Sequence, residues 1–401
     1  MLTLEEAQQR ILAQLPPPRS ARSPLAAAGR LFLTEPVTSQ VDLPLFDNSA
    51  MDGYAVRSAE LSRATAQIPV TLRRIGEAAA GQVFDGEVAA GTCVRVSTGS
   101  PLPRGADAVV MQEDTRTDPA NSGVILVLDA VKPWENVRFR GEDVKHGATL
   151  GETGARLGVG RVSLLAAAGV REVRVGRRPR VALLATGSEL REAGQPLGPG
   201  QIYESNRAGL AALIRRHGGL PEAFPLVPDD LAATRTALER AFTASDVVLT
   251  SGGVSVGELD FVKAAFEQLG GRIELWRVAM KPGKPFVFGR WREKFIFGLP
   301  GNPVSALVTC CVLVLPALAR LQGAADVALP GSAGVLAEPL VNRGDRRHFV
   351  RVRLDAEGQV SLAGRQGSHL LGAMAEADGL VDVPPATVWE TGRSVRVLRW
   401  E

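Results

Sequence analysis

Hydrophobic positions change period several times along the chain, and each change marks a different kind of structure. Thr3-Leu-Glu-Glu6 is a capping box, and Ala7, Ile11, Leu12 and Leu15 behind it fall on one helical face. Pro16-Pro17-Pro18 cannot continue that helix. An extended segment follows, with Leu31 to Leu33 and Val41 to Phe46 as short strand candidates, then the loop Asp47 to Val56. From about Ile68 to Val131 short alternating runs are separated by glycine turns, which predicts a small all-β module. Val159 to Ala168 reads as a short helix on the way back, so the module is expected as an insertion between two halves of an extended domain.

From Arg180 the pattern becomes that of an α/β sheet. RVALLATG is a continuous apolar run, as expected of a strand buried on both faces. Asn206 to His217 reads as a helix stopped by Gly218-Gly219, Phe224 to Val227 as a short strand, and Asp230 as the N-cap of Leu231 to Phe242. Asp246 to Thr250 is another buried strand, with helices expected over Glu258 to Leu269 and Pro303 to Leu321. Strands alternating with helices predict βαβ units on a mostly parallel sheet, with the loops after Thr186, Val227, Thr250 and Leu299 on one edge. After about Ala325 short alternating strands return, interrupted by a helical candidate from Ser368 to Ala375.

Composition narrows the class. With 45% hydrophobic and 22% charged residues the 401-residue chain is globular and too long for one ordinary core. The balance of 46 Lys+Arg against 43 Asp+Glu leaves +3, which gives no reason to expect nucleic acid. Three cysteines without a CxxC, four scattered histidines and no visible signal peptide predict a cytoplasmic protein with neither disulfides nor a zinc site. The uncharged run Asn302 to Ala319 opens polar and carries Pro316, so a buried core or dimer-interface helix is expected rather than a membrane span.

Candidate chemistry gathers between Asp246 and Ser305. Ser251-Gly252-Gly253 and Gly257 form a glycine loop between strand and helix, where backbone N–H groups meet an anion. Lys281 and Lys284, braced by prolines, add two ammonium groups. Pro300-Gly-Asn302-Pro303 is a rigid helix start, with Asn302 at the N-cap and Pro303 at the first turn; such a cap also occurs without a ligand. Glu189 can hold Mg²⁺ or cap a turn, Asp229 is the freer of the Asp229-Asp230 pair, and Asp260 faces either the helix dipole or the pocket. Three acids beside a phosphate loop point to Mg²⁺ and an enzyme acting on a phosphorylated ligand. Gly253-Val-Ser255-Val-Gly257 also matches the hydrolase elbow, with Asp345 and His348 or His369 downstream. Three residues separate that motif from its strand and no HGGG-type loop is present, so a serine hydrolase is the weaker alternative.

Asn48-Ser-Ala-Met-Asp-Gly-Tyr-Ala55, Thr98-Gly99, Gly141-Glu-Asp-Val144, Thr186-Gly-Ser-Glu-Leu190 and Ile202-Tyr-Glu-Ser-Asn206 form one ordered series. Ser251-Gly-Gly-Val-Ser-Val-Gly257, Lys281-Pro-Gly-Lys-Pro285 and Gly298-Leu-Pro-Gly-Asn-Pro303 continue it. Together they resemble the molybdopterin molybdenumtransferases, the MoeA and gephyrin E-domain family, over nearly the whole chain. The resemblance implies four domains: an elongated N-terminal one (1–46 and 135–176), an inserted β-rich one (47–134), an α/β molybdopterin-binding one (177–325) and a C-terminal β-barrel (326–401). It implies a Mg²⁺-dependent insertase that takes molybdate and adenylylated molybdopterin and releases AMP. It further implies a homodimer whose active sites are shared between subunits, with other enzymes of cofactor synthesis as candidate partners. By the same resemblance Glu189, Asp229 and Asp260 surround Mg²⁺ and the nucleotide phosphates. Lys281, Lys284, Pro300, Asn302 and Pro303 receive pterin phosphate and molybdate, Ser251, Gly252 and Gly253 bind substrate, and Asp52, Thr98, Asp143 and Ser368 are further functional positions. Glu204 stands where an Asp is more usual, and Arg277 where some relatives carry Lys. A non-catalytic scaffold, a use known among eukaryotic relatives, is the alternative from another class.

Overall fold

The structure, a computed structural model, describes residues 1–253 and 261–400. Its centre is a six-stranded mixed sheet in the order Leu220–Ala223, Arg180–Ala185, Val247–Ser251, Lys294–Leu299, Val287–Trp291, Arg272–Trp276. Five of these strands run in one direction and Val287–Trp291 runs against both its neighbours. Successive side chains on a strand face opposite sides, so the apolar runs bury both faces. Val181, Leu183, Val247, Leu249, Phe295 and Phe297 join one core, and Ala182, Leu184, Val248 and Ile296 join the other. Helices Leu231–Ala244 and Phe261–Gln268 supply Phe242 and Phe266 to the second core.

The first core is covered by the helix Asn206–Arg216 and by the long helical run from Pro303 to Leu321. That run is α-helical over Pro303–Thr309, a π-helix over Cys310–Val314 and α-helical again over Leu315–Leu321. Its mean hydropathy of 2.1 is high enough for a membrane, but 78% of its most apolar window is buried inside the fold. It is a core helix. The N-terminal helix Leu4–Gln14 packs there too, through Leu4, Ala7 and Ile11, and Gln8 Nε2 donates to Val312 O at 2.7 Å. Its Thr3/Glu6 capping box forms as the sequence predicts.

The chain leaves and returns along one antiparallel path. Ser20–Pro24 pairs with Glu172–Gly176, Val37–Thr38 with Thr149–Gly151, and Asn48–Ser49 with Val137–Arg138. At the far end lies a second six-stranded sheet, built from strands between Gly53 and Val127. In the C-terminal region Arg347–Leu354, Gln359–Leu362, Gly331–Leu336, Ser394–Leu398 and Gly379–Val383 form a closed five-stranded barrel, because the last pairs again with the first.

Local differences from the sequence reading have physical causes. Phe224 to Val227 is not a strand; the strand is Leu220–Ala223. Phe224 and Val227 are buried like strand residues, but Pro225 has no N–H to give a ladder. Phe224 N and Val227 N donate singly to Leu183 O and Ala185 O. Leu31 to Leu33 and Val41 to Phe46 make only isolated bridges, Phe32 with Arg156, Leu33 with Val175 and Leu43 with Val144. The last helical candidate starts at Leu371 rather than Ser368, and the helix expected from Glu258 is seen from Phe261, since 258–260 lie outside the described residues. Asp230 does cap its helix, accepting from Ala233 N at 2.7 Å. Replacing Asp230 with Ala is expected to lower unfolding stability by about 1 kcal/mol, read as a shifted urea midpoint with an unchanged slope.

Candidate functional site: an oxyanion crown on the α/β domain

Loops leaving the parallel strands meet along one sheet edge. Thr186 N donates to Ser251 O at 3.2 Å, Gly187 N to Val227 O at 3.1 Å and Gly252 N to Leu299 O at 3.2 Å. Asn206 ties two loops together, with Nδ2 donating to Ser251 Oγ at 3.0 Å and to Gly301 O at 2.8 Å. Gly252 has φ +86°, and a Cβ there would lie 2.7 Å from Thr186 O, so only glycine lets these loops close. Inside this joint Thr186 Oγ1 and Asn206 Oδ1 are buried and find no hydrogen-bond partner among the described residues. Such groups are costly unless a ligand or water satisfies them. Ser251, Gly252 and Gly253 thus occupy the crown as expected, while Ser255 and Gly257 lie outside the described residues.

The lysine loop reaches the same edge for a reason the sequence pattern did not disclose. It joins the carboxyl end of Arg272–Trp276 to the start of Val287–Trp291, and Val287 pairs with Gly298, at the carboxyl end of the neighbouring strand. Arg277 N donates to Phe286 O and Val278 N to Lys284 O across the neck of the loop. Gly283 has φ +106°, and a Cβ there would fall 2.3 Å from Thr309 Oγ1. The loop therefore rests directly on the long core helix while Lys281 and Lys284 stay exposed. Met280–Lys281 also adds a short strand to the barrel, Met280 opposite Arg347 and Lys281 opposite His348.

The barrel contributes further groups. Arg346 Nη1 donates to Met280 O at 3.3 Å, bringing a third cation beside Lys281. Burial pushes the His348 imidazole down to about 4, with Lys281 and Arg351 adding to the effect, so it is neutral at pH 7. The start of the core helix is unusual: Asn302 occupies the N-cap but its side chain makes no capping bond. That corrects the reading of Asn302 as a side-chain cap. Instead Ser368 O accepts from Val304 N at 3.2 Å, so a barrel loop closes this helix end. Pro300 is buried, while Gly301 and Asn302 are exposed at the opening.

The acidic side lies at the Thr186–Glu189 loop. Ser188 N donates to Asp229 Oδ2 at 3.0 Å, and Asp229 N donates to Ser188 Oγ at 3.1 Å. Glu189 folds back over Gly187, where a Cβ would meet its carboxylate at 2.6 Å. Glu189 and Asp229 therefore flank Ser188; Asp260 lies outside the described residues. Among the described residues no group of three or more His, Cys, Asp or Glu converges as a metal cage. Mg²⁺ is commonly held by one or two carboxylates with substrate phosphates and waters, and two carboxylates on adjoining loops fit that mode. Glu204 is used differently. It accepts from Arg207 N at 2.9 Å and from Arg207 Nε at 2.8 Å, and Glu192 accepts twice from Arg207 Nη2. Burial works against the Arg207 charge and the two carboxylates more than offset it.

Asp52, Thr98 and Asp143 sit apart from this crown. Thr98 N and Oγ1 both donate to Asp52 Oδ1, at 2.7 and 3.1 Å. These bonds, backbone first, hold the Asp52 carboxyl below the usual range. Asp143 is exposed on the returning chain, its N–H donating to Leu43 O at 3.0 Å. Among the described residues no hydrogen bond or ion pair joins the 47–134 region to the 177–325 region. Asn206, Arg346, Arg207 and Thr309 were missed as site residues by sequence reasoning. The only available signal was for Asn206, which stands within the Ile202 to Asn206 motif.

The fold is that of a multidomain α/β protein with an inserted β-rich sheet and a C-terminal β-barrel, and comparison with known proteins agrees. The family profile for the MoeA N-terminal region (domain I and II) matches residues 2–169. The probable molybdopterin binding domain matches 182–320, and the MoeA C-terminal region (domain IV) matches 333–400. The molybdopterin molybdenumtransferase of Haemophilus influenzae is 40% identical over 384 residues, 94% of this chain and 93% of that protein. Molybdopterin molybdenumtransferase 2 of Mycobacterium tuberculosis is 38% identical over the full length of both. The crystal structure of the molybdopterin biosynthesis MoeA protein from Pyrococcus horikoshii OT3 superposes with a TM-score of 0.85 at 29% identity, covering 100% of each chain. The chain belongs to the molybdopterin molybdenumtransferase family, and is a transferase of molybdenum cofactor biosynthesis.

Replacing Thr98 with Val removes one of the two donors to Asp52. The Asp52 midpoint, followed by carboxyl NMR, is expected to rise toward the ordinary carboxylate value, so that Asp52 protonates at higher pH than in the parent.

Proposed function

We propose that this chain inserts molybdenum from molybdate into adenylylated molybdopterin and releases AMP, at a Mg²⁺-dependent site shared between two copies of the chain in the cytoplasm. The observation that supports the reading is that the lysine loop, which meets the barrel at Arg346 and rests on the core helix at Thr309, leaves the same sheet edge as the Thr186–Glu189 loop to which Asp229 is bonded. Cations and free N–H groups suit molybdate and the pterin phosphate. Carboxylates suit a divalent ion bound together with the adenylyl phosphate.

Mg²⁺, held by Glu189 and Asp229 with Asp260 as a third candidate, would draw off charge as the phosphoanhydride breaks. The chain's own residues do the rest. Lys281 and Lys284 hold the oxyanions, and Ser251 and Gly252 bring backbone close to the phosphate. Pro300, Asn302 and Ser368 fix where the helix end points, and the neutral His348 adds no competing charge. Beside Asp229 runs an open groove of about 410 Å³, lined in part by Phe224, Leu226, Val227, Pro228 and Arg240. Its apolar wall suits the adenine ring.

Sharing of the site rests on the separation of Asp52 and Thr98 from the crown. Leu45, Phe46, Met51, Trp134 and Phe139 are exposed on the chain segments that flank this pair, and such a concentration of apolar groups suits contact with a second copy. Asp260→Ala is expected to abolish insertion in a reconstituted assay while the oligomer stays intact; full activity would remove Asp260 from the reaction. Asp52→Ala and Lys281→Ala are each expected to be inactive alone. Co-expressed, they should regain about a quarter of parental activity, because half of the molecules are mixed dimers with one intact site. Sites contained within one chain would give no recovery.

A further inference from the structure

The barrel strand Arg347–Leu354 meets the lysine loop at its N-terminal end, and one residue on it is not explained by the barrel. Val350 and Val352 point into the barrel core. Phe349, on the opposite face, joins the core of the α/β domain. Arg351 shares the Phe349 face by the alternation of the strand. It is 1% exposed, the largest fully buried side chain among the described residues. Burial pushes its guanidinium pKa down, and among the described residues no carboxylate offsets that. An apolar side chain would fill the space at less cost, so the guanidinium fork itself is what needs explaining.

All three nitrogens of that fork donate to one short loop. Arg351 Nη2 donates to Arg365 O at 2.8 Å, Nη1 to Gly367 O at 3.0 Å and Leu370 O at 3.5 Å, and Nε to Gln366 Oε1 at 3.4 Å. Gln366 answers from the loop. Its Oε1 accepts from Arg351 N at 2.9 Å and its Nε2 donates to Arg351 O at 3.1 Å, so its amide pairs with the strand as a neighbouring strand would. Ser368, within this clamped loop, accepts from Val304 N and closes the first turn of the core helix. Three positions before Arg351 on the same strand, His348 pairs in register with Lys281, and Arg346 reaches Met280 O.

We propose that Arg351 and Gln366 are positioning residues for oxyanion binding. They hold the 365–370 loop so that Ser368 meets the helix start at a fixed height above the lysine loop. A guanidinium can grip three carbonyls in one plane, which an ammonium cannot, and peptide carbonyls rather than carboxylates are its partners because the loop lies against the anion's own site. A carboxylate there would repel the ligand. This rests on the crown being the molybdate site, as proposed above.

The test compares Arg351→Met, Gln366→Leu and Arg351→Lys with the parent in the full-length protein. Amide exchange at Val304 and the dissociation constant for molybdate, by titration calorimetry, are measured below the melting temperature of every variant. Arg351→Met and Gln366→Leu are expected to speed exchange at Val304 about tenfold and to weaken molybdate binding by about tenfold. The barrel strands should keep their protection, and Arg351→Lys should fall between. Unchanged Val304 exchange with unchanged molybdate binding overturns the proposal, as does loss of protection spread evenly over the whole barrel in both variants. Faster Val304 exchange with unaltered molybdate affinity also overturns it, since the loop would then be held for stability alone. If the parent itself binds no molybdate, the reading of the crown fails, and unchanged exchange at Val304 would additionally refute the clamp.

Discussion

The pairing of Val287 with Gly298 is the constraint on which most of the site depends. Because Val287–Trp291 runs against its neighbours, the loop that precedes it emerges on the edge where the parallel strands end. Lys281 and Lys284 are thereby brought to the same sheet edge as the glycine loops, which offer only backbone dipoles. Gly283 then lets the loop settle onto Thr309, and Met280–Lys281 extends away to pair with the barrel. One reversed strand thus brings cations, helix start and barrel together.

The loops at this edge carry both signs of charge, which is what the proposed reaction between two anions would require. Phosphate and molybdate repel one another in the absence of counter-charge, so cations must stand where both meet and carboxylates must stand aside. Asp229 is tied to the Thr186–Glu189 loop by two reciprocal bonds with Ser188, and Glu189 folds back over Gly187 in that loop. Glu204 and Glu192, which would otherwise add negative charge nearby, are taken up by Arg207. Among the described residues Thr186 Oγ1 and Asn206 Oδ1 are buried without a partner, in the joint between the loops. Polar atoms left unsatisfied there are consistent with a site completed by what it binds.

Much of this was legible in the sequence, and the parts that were not share a cause. Two-faced apolar runs such as Arg180–Ala185 announced the sheet, Asp230 its helix cap and Thr3/Glu6 theirs, because each depends on neighbours in sequence. The mistaken strand at Phe224 to Val227 arose because burial was visible but the missing ladder was not. Asn302 looked like a side-chain cap because residue type says nothing about a carbonyl arriving from Ser368, sixty-odd positions later. Arg346 and Arg351 carry no local signal in the sequence; their contacts come from the lysine loop and the 365–370 loop, which are distant in sequence or fold back from beyond the strand. Long-range closure is the information that local pattern lacks.

The account stands most directly on where the metal oxyanion binds. A crystal of the full-length protein soaked with molybdate and adenosine monophosphate would show it. The account predicts molybdate between Lys281, Lys284 and the helix start at Pro303, within hydrogen-bond reach of Ser368, with the nucleotide phosphate toward Glu189 and Asp229. Molybdate bound on the carboxylate side, or away from the lysine loop altogether, would contradict it.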